Sequence, residues 1–135
     1  MKLITYTDGG ARGNPGPAAL GVVIQNEKGE VLASYGEYLG KQTNNVAEYA
    51  AIISALKKAK ELGATELECR ADSKLVIEQL KGKWKVKEPH LQTMFMEAWK
   101  AMQLFDRVRL VHIPRELNKA PDAEVNKALN AQRSF

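Results

Sequence analysis

The stretch YTDGGARGNPGP, residues 6–17, marks the end of the first predicted strand, because a run of apolar, β-prone residues ends there on the carboxylate of Asp8. Apolar and polar side chains alternate over residues 2–7, and this pattern predicts a strand that Asp8 ends. The glycines and prolines that follow are typical of a turn. Asp8 has no helix to cap in this position, although an Asx-turn into the glycines is an alternative interpretation.

The periodicity of apolar residues outward from this stretch predicts the other elements. Strands are expected at 2–7, 19–25, 31–39, 65–71 and 108–113, and helices at 44–62, 74–80, 89–104 and 122–131. The order βββαβααβα indicates an α/β protein with a mixed five-stranded sheet and helices on both faces. A chain of 135 residues is long enough for one core, so we expect a single domain, 1–135.

Composition excludes several classes of protein. No segment approaches the roughly 20 apolar residues of a membrane span, and the N-terminus reaches a carboxylate too soon for a signal peptide. The single cysteine, Cys69, excludes an internal disulfide and a cysteine-rich zinc site. We therefore expect a cytoplasmic monomer that makes no membrane contact. The net charge of +4 is only a weak indication of a nucleic-acid partner.

The basic residues are concentrated in one segment, residues 81–87, with the sequence KGKWKVK. Four lysines alternate there around Trp84 and Val86, and we call this segment the basic strip. Alternating lysines are one way in which an exposed edge avoids pairing. The other interpretation is a strip that follows a phosphate backbone, with Trp84 as a stacking platform.

The aspartates lie at the ends of elements. Asp8 and Asp72 each follow a predicted strand, Asp122 opens the last predicted helix, and Glu48 lies beside the apolar stripe of the first. If strands one and four are neighbours, Asp8 and Asp72 emerge at the same edge of the sheet. Each residue also has a structural interpretation, because Asp72 could cap the next helix and Asp122 could complement a helix dipole.

Carboxylates that converge on one point repel one another, and burial without a partner makes this costly. A hard divalent cation relieves the repulsion, because Mg²⁺ takes oxygen ligands and keeps positions for water and phosphate oxygens. Such a group suits phosphodiester chemistry with two Mg²⁺ ions, for which Mn²⁺ is an alternative.

Four blocks of the sequence, YTDGGARGNPGPAALG, TNNVAEYAAI, ADSKLVIEQL and HIPRELNKAPD, resemble in order those of the type 1 ribonuclease H family. The likeness is to the compact form, without a basic handle or hybrid-binding domain. It implies a ribonuclease H-like fold and an endonuclease that hydrolyses the RNA strand of RNA/DNA hybrids, giving 5′-phosphate and 3′-hydroxyl ends. It also implies that the metal-binding and catalytic residues are Asp8, Glu48, Asp72 and Asp122.

The resemblance further implies a set of substrate contacts. The asparagines would read the minor groove, where 2′-hydroxyls distinguish RNA from DNA, and the glycines would let the backbone approach it. The basic residue and the threonine would hold the DNA strand. The expected contacts are Gly9, Gly10, Asn14, Lys41, Thr43, Asn44, Asn45 and Trp84. Turn and helix-capping chemistry is the alternative for the asparagines, and Asn44 could serve both.

The chain also departs from the family pattern. The family's mobile loop histidine is missing, because His112 lies within the apolar alternation of the last strand. Arg115 or Glu116 would then assist product release in its place. Glu88 stands where the family's phosphate pocket has an asparagine, and its charge would repel phosphate, so we do not include it. Beside Asp122, two residues differ from the usual small or apolar ones: Pro121 and Glu124.

Two other functions compete with the nuclease. A catalytically silent nucleic-acid-binding module of the same fold would have lost a carboxylate, and all four are present. An actin-like phosphotransferase shares the sheet order but needs two duplicated domains, and this chain is predicted to have one.

Overall fold

The computed structural model of the chain describes residues 1–132. The strands are β1 (Lys2–Ala11), β2 (Gly16–Asn26), β3 (Val31–Gln42), β4 (Glu66–Ala71) and β5 (Arg107–His112). The helices are α1 (Asn44–Glu61), α2 (Lys74–Leu80), α3 (Pro89–Met102) and α4 (Lys119–Gln132), with a short 3₁₀ turn at Arg115–Leu117. The predicted order of elements is confirmed.

The five strands form one mixed sheet in the order β3-β2-β1-β4-β5. The first three strands pair antiparallel, as their short connections require, and β4 and β5 join parallel to β1 after helical crossovers. Strands one and four are therefore neighbours. Their pairing ends at Thr7 and Ala71, immediately before Asp8 and Asp72.

Helices cover both faces of the sheet, as predicted. The main core lies under α1, where Leu3, Val22 and Ile24 of the sheet pack with helix residues such as Ile52 and Leu56. The successive side chains of a strand point to opposite faces, so Ala19 faces the other side. It packs there against two residues of α4, Val125 and Leu129. None of the helices in residues 1–132 is both long enough and apolar enough to cross a membrane.

Two glycines allow the helices to approach the sheet closely. A Cβ atom on Gly9 would lie 2.2 Å from the carbonyl carbon of Ala47 in α1. A Cβ atom on Gly21 would lie 2.0 Å from the carbonyl oxygen of Pro121 in α4. Both distances are far shorter than a van der Waals contact, so only glycine fits. These contacts set how far α1 and α4 stand from β1 and β2.

Helix capping decides several alternatives that the sequence left open. Ser73, not Asp72, caps α2 by accepting a hydrogen bond from the Val76 N–H at 3.3 Å. The side chain of Thr43, not that of Asn44, caps α1 in the same way. Glu88 accepts from the His90 N–H at 3.2 Å and so caps α3, which gives this carboxylate a structural role.

Two predicted boundaries are wrong in a way that affects the carboxylates. Asp8 does not end β1, which continues to Ala11 because its ladder with β2 runs on after β4 has left. Similarly, α4 begins at Lys119, so Asp122 lies within its first turn and does not open it. Pro121 fits there because the first N–H groups of a helix have no intrahelical partner. The remaining boundaries differ from the predictions by a few residues.

Candidate active site

Four carboxylates meet where β1 and β4 separate. Asp8 and Asp72 follow the last pair of the β1–β4 ladder, Glu48 lies near the start of α1, and Asp122 lies in the first turn of α4. Carboxylate oxygens of Asp8, Glu48 and Asp72 lie within 4.8 Å of one another. Asp122 does not belong to this group of three, but its side chain is hydrogen-bonded to that of Asp8. We call these four residues the carboxylate centre.

An open cavity of about 430 Å³ lies over the carboxylate centre. Its walls come from the end of β1, the first turns of α1 and α4, and the loop that precedes α4. Besides the four carboxylates, the lining includes Gly9, Gly10, Arg12, Asn44, Ser73, Arg115 and Asn126. The cavity thus brings acidic groups and hydrogen-bond donors to one solvent-accessible place.

The carboxylate of Asp8 is buried. It is only 8% exposed. Burial, the charge of Asp72 and the contact with Asp122 raise the pKa of Asp8 from 3.8 to about 8, and the N–H of Gly9 offsets part of this. Near neutral pH, Asp8 therefore holds a proton unless a cation enters the centre.

Glu48 and Asp72 share this environment. Burial and the charges of Asp8 and Asp72 raise the pKa of Glu48 well above 4.5. The Gly9 N–H donates to Glu48 Oε1 at 2.6 Å, which favours the ionised form and fixes that oxygen. Burial raises the pKa of Asp72, and a hydrogen bond from Asn118 and the charge of Arg115 oppose the rise.

The donor set of the centre fits a hard divalent cation. The grouped ligand atoms are all carboxylate oxygens, on three different elements. Burial, and after it the repulsion among these groups, raises the pKa values of Asp8 and Glu48, and a bound cation would offset both effects. Asp8, Glu48 and Asp72 would hold such a cation, with Asp122 beside them.

The loop between β5 and α4 contributes Arg115, whose charge lowers the pKa of both Glu48 and Asp72. Arg115 lines the cavity, whereas Glu116 is exposed beside it and is not part of the lining. His112 pairs with Ala71 at the end of β5, as the sequence indicated, and so does not lie in this loop.

Asn118 is a member of the site that the sequence analysis missed. It is 1% exposed and donates from Nδ2 to the carbonyl oxygen of Thr7 at 2.7 Å. In sequence, it looks like one more asparagine in a polar loop. Its position four residues before Asp122 was the only signal available, because its contact with Thr7 joins distant parts of the chain.

Two of the predicted minor-groove residues join β1 to α1. Asn14 Oδ1 accepts from the backbone N–H of Asn44 at 3.0 Å, and Asn44 Oδ1 accepts from that of Ala11 at 2.8 Å. These contacts use only the amide oxygens, so the amide N–H groups are not needed for them. The cavity lining includes Gly9, Gly10 and Asn44, whereas Asn14 lies outside it and is exposed.

Three more predicted substrate residues lie around the start of α1. Lys41 is exposed near the end of β3, and Asn45 is exposed in the first turn of α1. The hydroxyl oxygen of Thr43 accepts the capping hydrogen bond, and its own O–H can still donate to a phosphate. None of the three lines the cavity over the carboxylates, so a substrate strand would have to extend beyond it.

Trp84 is 44% exposed and is therefore not a core residue. The basic strip forms no helix, and Lys74 Nζ lies 5.9 Å from the centre of the Trp84 ring. Backbone contacts hold the strip to α2, since Glu78 O accepts from the N–H groups of Lys83 and Trp84. The strip is therefore an ordered, basic surface with one aromatic ring.

A larger cavity of about 800 Å³ lies between β3, α1 and α3, away from the carboxylates. Its lining is mainly apolar, and charged residues on it form ion pairs, such as Lys57 with Glu97 at 3.0 Å. Within residues 1–132, the one group of three potential metal ligands is that at the smaller cavity. The carboxylate centre is therefore the candidate for a metal-dependent active site in the described residues.

Comparisons with known proteins agree with this geometry. A family model described as reverse transcriptase-like matches residues 6–128. The crystal structure of RNase H1 from the halophilic archaeon Halobacterium salinarum superposes with a TM-score of 0.95 at 40% identity, over 97% of this chain and 99% of that one. The chain belongs to the type 1 ribonuclease H family. The ribonuclease H-like fold that the sequence predicted is thereby confirmed.

Other members of the ribonuclease H family are as similar. LC11-RNase H1, whose structure was determined in complex with an RNA/DNA hybrid, has a TM-score of 0.92 at 45% identity, over 96% of this chain and 98% of that one. A bifunctional protein of Mycobacterium tuberculosis is 43% identical over 97% of this chain. The chain spans only 36% of that protein's length, and 65% of the length of the ribonuclease HI of Halobacterium salinarum.

Proposed function

We propose that this chain is an endonuclease that hydrolyses the RNA strand of RNA/DNA hybrids with two bound Mg²⁺ ions, giving 5′-phosphate and 3′-hydroxyl ends. The observation that carries the proposal is the convergence of Asp8, Glu48 and Asp72 within 4.8 Å, beside Asp122. The hybrid bound to the related LC11-RNase H1 supports the choice of substrate. Mn²⁺ can replace Mg²⁺, and the chain acts as a single catalytic domain, 1–135, in a cytoplasmic monomer.

The carboxylates act by holding negative charge at fixed positions. Gly9 orients Glu48, Asn118 holds Asp72, and Asp122 contacts Asp8, so the four groups stay together in spite of their repulsion. Asp8, Glu48 and Asp72 would hold the divalent metal, which would supply an activated water and stabilise charge on the departing oxygen. In the net hydrolysis, the hydroxyl of this water would be added to phosphorus, and its proton would pass to the 3′ oxygen of the preceding nucleotide as the bond from phosphorus to that oxygen breaks.

The surroundings of the centre position the hybrid. The minor groove is read by the side-chain amides of Asn14, Asn44 and Asn45. Gly9 and Gly10 have no side chains, so the RNA strand can approach the backbone there. Lys41 and Thr43 hold a phosphate of the DNA strand. Trp84 and the lysines of the basic strip extend that grip. These contacts depend on the shape of the hybrid or are made to its phosphates and 2′-hydroxyl groups, so little sequence preference is expected.

Arg115 is the better candidate for the product-release role. It lines the cavity and its charge reaches two carboxylates, whereas Glu116 is exposed and outside the lining. A cation on a short 3₁₀ turn can pair with the new 5′-phosphate and draw it away from the centre.

The test is cleavage of end-labelled RNA/DNA hybrid, RNA duplex and DNA duplex, with Mg²⁺ and with a chelator. We expect cutting of the RNA in the hybrid only when metal is present, and a loss of about a hundredfold or more in kcat for Asp8→Asn, which removes one metal-binding charge. Lys28→Gln, in the turn between β2 and β3, is the matched control and retains full activity. Binding of hybrid without cutting would show a silent nucleic-acid-binding module instead.

A further inference from the structure

The loop before α4 contains Asn118, whose side chain contacts residues next to the carboxylate centre from the buried side. Asn118 is buried, and its Nδ2 donates to the carbonyl oxygen of Thr7 at 2.7 Å. Thr7 is the last residue of β1 that pairs with β4, and Asp8 follows it. Asn118 thus contacts β1 at the point where the support of β4 ends.

The same side chain reaches the other strand of the pair. The Asn118 amide also lies close enough to the carboxylate of Asp72 to interact with it. Asn118 therefore contacts both sides of the fork between β1 and β4, through the carbonyl oxygen of Thr7 on one side and through Asp72 on the other. The Asn118 backbone N–H also donates to Arg115 O at 2.9 Å, which closes the 3₁₀ turn that carries Arg115.

The other half of the amide argues against a purely stabilising role. Within residues 1–132, Asn118 Oδ1 is buried and has no hydrogen-bond partner. A buried acceptor without a partner reduces stability, so a residue selected only for packing would not carry one. What this side chain provides is its hydrogen bond to Thr7 and its contact with Asp72.

On the basis of the proposed function, we propose that Asn118 is a positioning residue that holds the carboxylates of Asp8 and Asp72 at metal-binding separation. It touches neither the substrate nor the metal. It acts through the backbone that leads to Asp8 and through the carboxylate of Asp72. Groups of this kind behind metal ligands affect metal affinity by about tenfold to a hundredfold.

The test is Mg²⁺ binding to the full chain by isothermal titration calorimetry, with hybrid cleavage measured in parallel. We expect Asn118→Ala to raise the Mg²⁺ dissociation constant about tenfold or more and to lower kcat at limiting Mg²⁺, with KM for the hybrid unchanged. Excess Mg²⁺ should restore kcat. Leu56→Ala, in the core under α1, is the control for lost stability, and it should bind Mg²⁺ as the unchanged protein does.

Asn118→Ser covers the case in which the alanine variant does not fold, because a serine hydroxyl can still donate a hydrogen bond but is too short to keep both contacts of the amide. We expect its Mg²⁺ affinity to lie between those of the alanine variant and the unchanged protein. Unchanged affinity in folded Asn118→Ala or Asn118→Ser overturns the proposal. An unchanged protein that binds Mg²⁺ but does not cut the hybrid contradicts the proposed function alone, because the affinity comparison is still decisive for Asn118.

Discussion

Burial and two neighbouring carboxylates, those of Asp72 and Asp122, disfavour the ionised form of Asp8. Its pKa is raised from 3.8 to about 8. Between these two pH values, the unfolded chain has lost a proton that the folded chain still holds, so a rise in pH favours unfolding. A divalent cation bound at the centre removes the repulsion and with it this dependence on pH.

We therefore predict that the metal-free protein loses stability between about pH 4 and pH 8, and that Mg²⁺ restores it most strongly at the upper end. The measurement is the urea midpoint across this range, with chelator or with Mg²⁺. Asp8→Asn should weaken the pH dependence and, without metal near pH 8, should be more stable than the unchanged protein by about 1 to 3 kcal/mol. Equal pH profiles for the two proteins would contradict the assignment.

At the scale of elements, α4 is held at a fixed distance from β2 by Gly21. Because a Cβ there would meet Pro121 O at 2.0 Å, Gly21→Ala must push α4 and Asp122 away from the sheet. We expect a loss of about 1 to 3 kcal/mol in unfolding free energy, together with a lower kcat. Urea denaturation measures the first effect. Gly10→Ala is the control for stability, since its nearest contact would be an ordinary 3.8 Å, and it should change little.

A buried hydrogen-bond chain joins α1 and α2 to the basic strip. Tyr49 donates to Gln79 Oε1 at 2.6 Å, and Gln79 Nε2 donates to the carbonyl oxygen of Lys85 at 3.1 Å. The basic strip has no helix or strand of its own, so its contacts with α2 fix its position. Gln79 is only 5% exposed, so its two contacts are shielded from water and each is costly to lose.

We predict that Gln79→Leu loosens the basic strip. It should lower the unfolding free energy by about 1 to 3 kcal/mol, because Tyr49 loses its acceptor, and raise KM for the hybrid about threefold to tenfold with kcat unchanged. Ser54→Ala removes a 2.7 Å contact with Tyr35 far from the strip and should affect stability alone. A change in kcat without a change in KM would argue that Gln79 acts on the carboxylate centre instead.

At the scale of the whole molecule, a net charge of +4 helps to attract a polyanion, and the basic strip concentrates that charge. We predict that the double variant Lys83→Gln, Lys85→Gln reduces the slope of log binding constant against log salt by about 1 to 2. The control Lys57→Gln, Lys60→Gln removes the same charge from α1 and should change the slope much less. Binding to inactive Asp8→Asn protein, by fluorescence anisotropy, measures both. Equal slopes would show that the strip does not contact phosphate.

Much of the architecture follows from local patterns in the sequence. The alternation of apolar residues in the strands and their helical spacing in α1 predicted the order of elements. If β1 and β4 are neighbours, Asp8 and Asp72 must lie at the same edge of the sheet, and this prediction followed from the order of the strands. The hairpin formed by β1 and β2 was predicted too short, because its glycines and prolines suggest a loop although the backbone still pairs. The propensities of single residues do not show the backbone pairing that the neighbouring strand supplies.

The residues that the sequence could not reveal are those whose role comes from contacts across the chain. Nothing local shows that Gly21 must face a carbonyl of α4. Likewise, no pattern distinguishes Asn118 from the exposed asparagines of other loops. Asp122, by contrast, was predicted from its place at the start of a helix and from the resemblance of its block to the family, although the helix begins three residues earlier than predicted. The roles of Gly21 and Asn118 come from packing between distant parts of the chain, which no local sequence pattern shows.

The dispersal of the four carboxylates along the chain has a consequence for synthesis on the ribosome. Asp122 lies in α4, which packs on β2 and β3 and can do so only after Gln132, at the end of α4, has left the ribosomal exit tunnel. Until then, a growing polypeptide carries β1 and α1 without a complete catalytic centre. Truncated products that end before α4 therefore lack Asp122 and, under the proposed function, should not cut RNA.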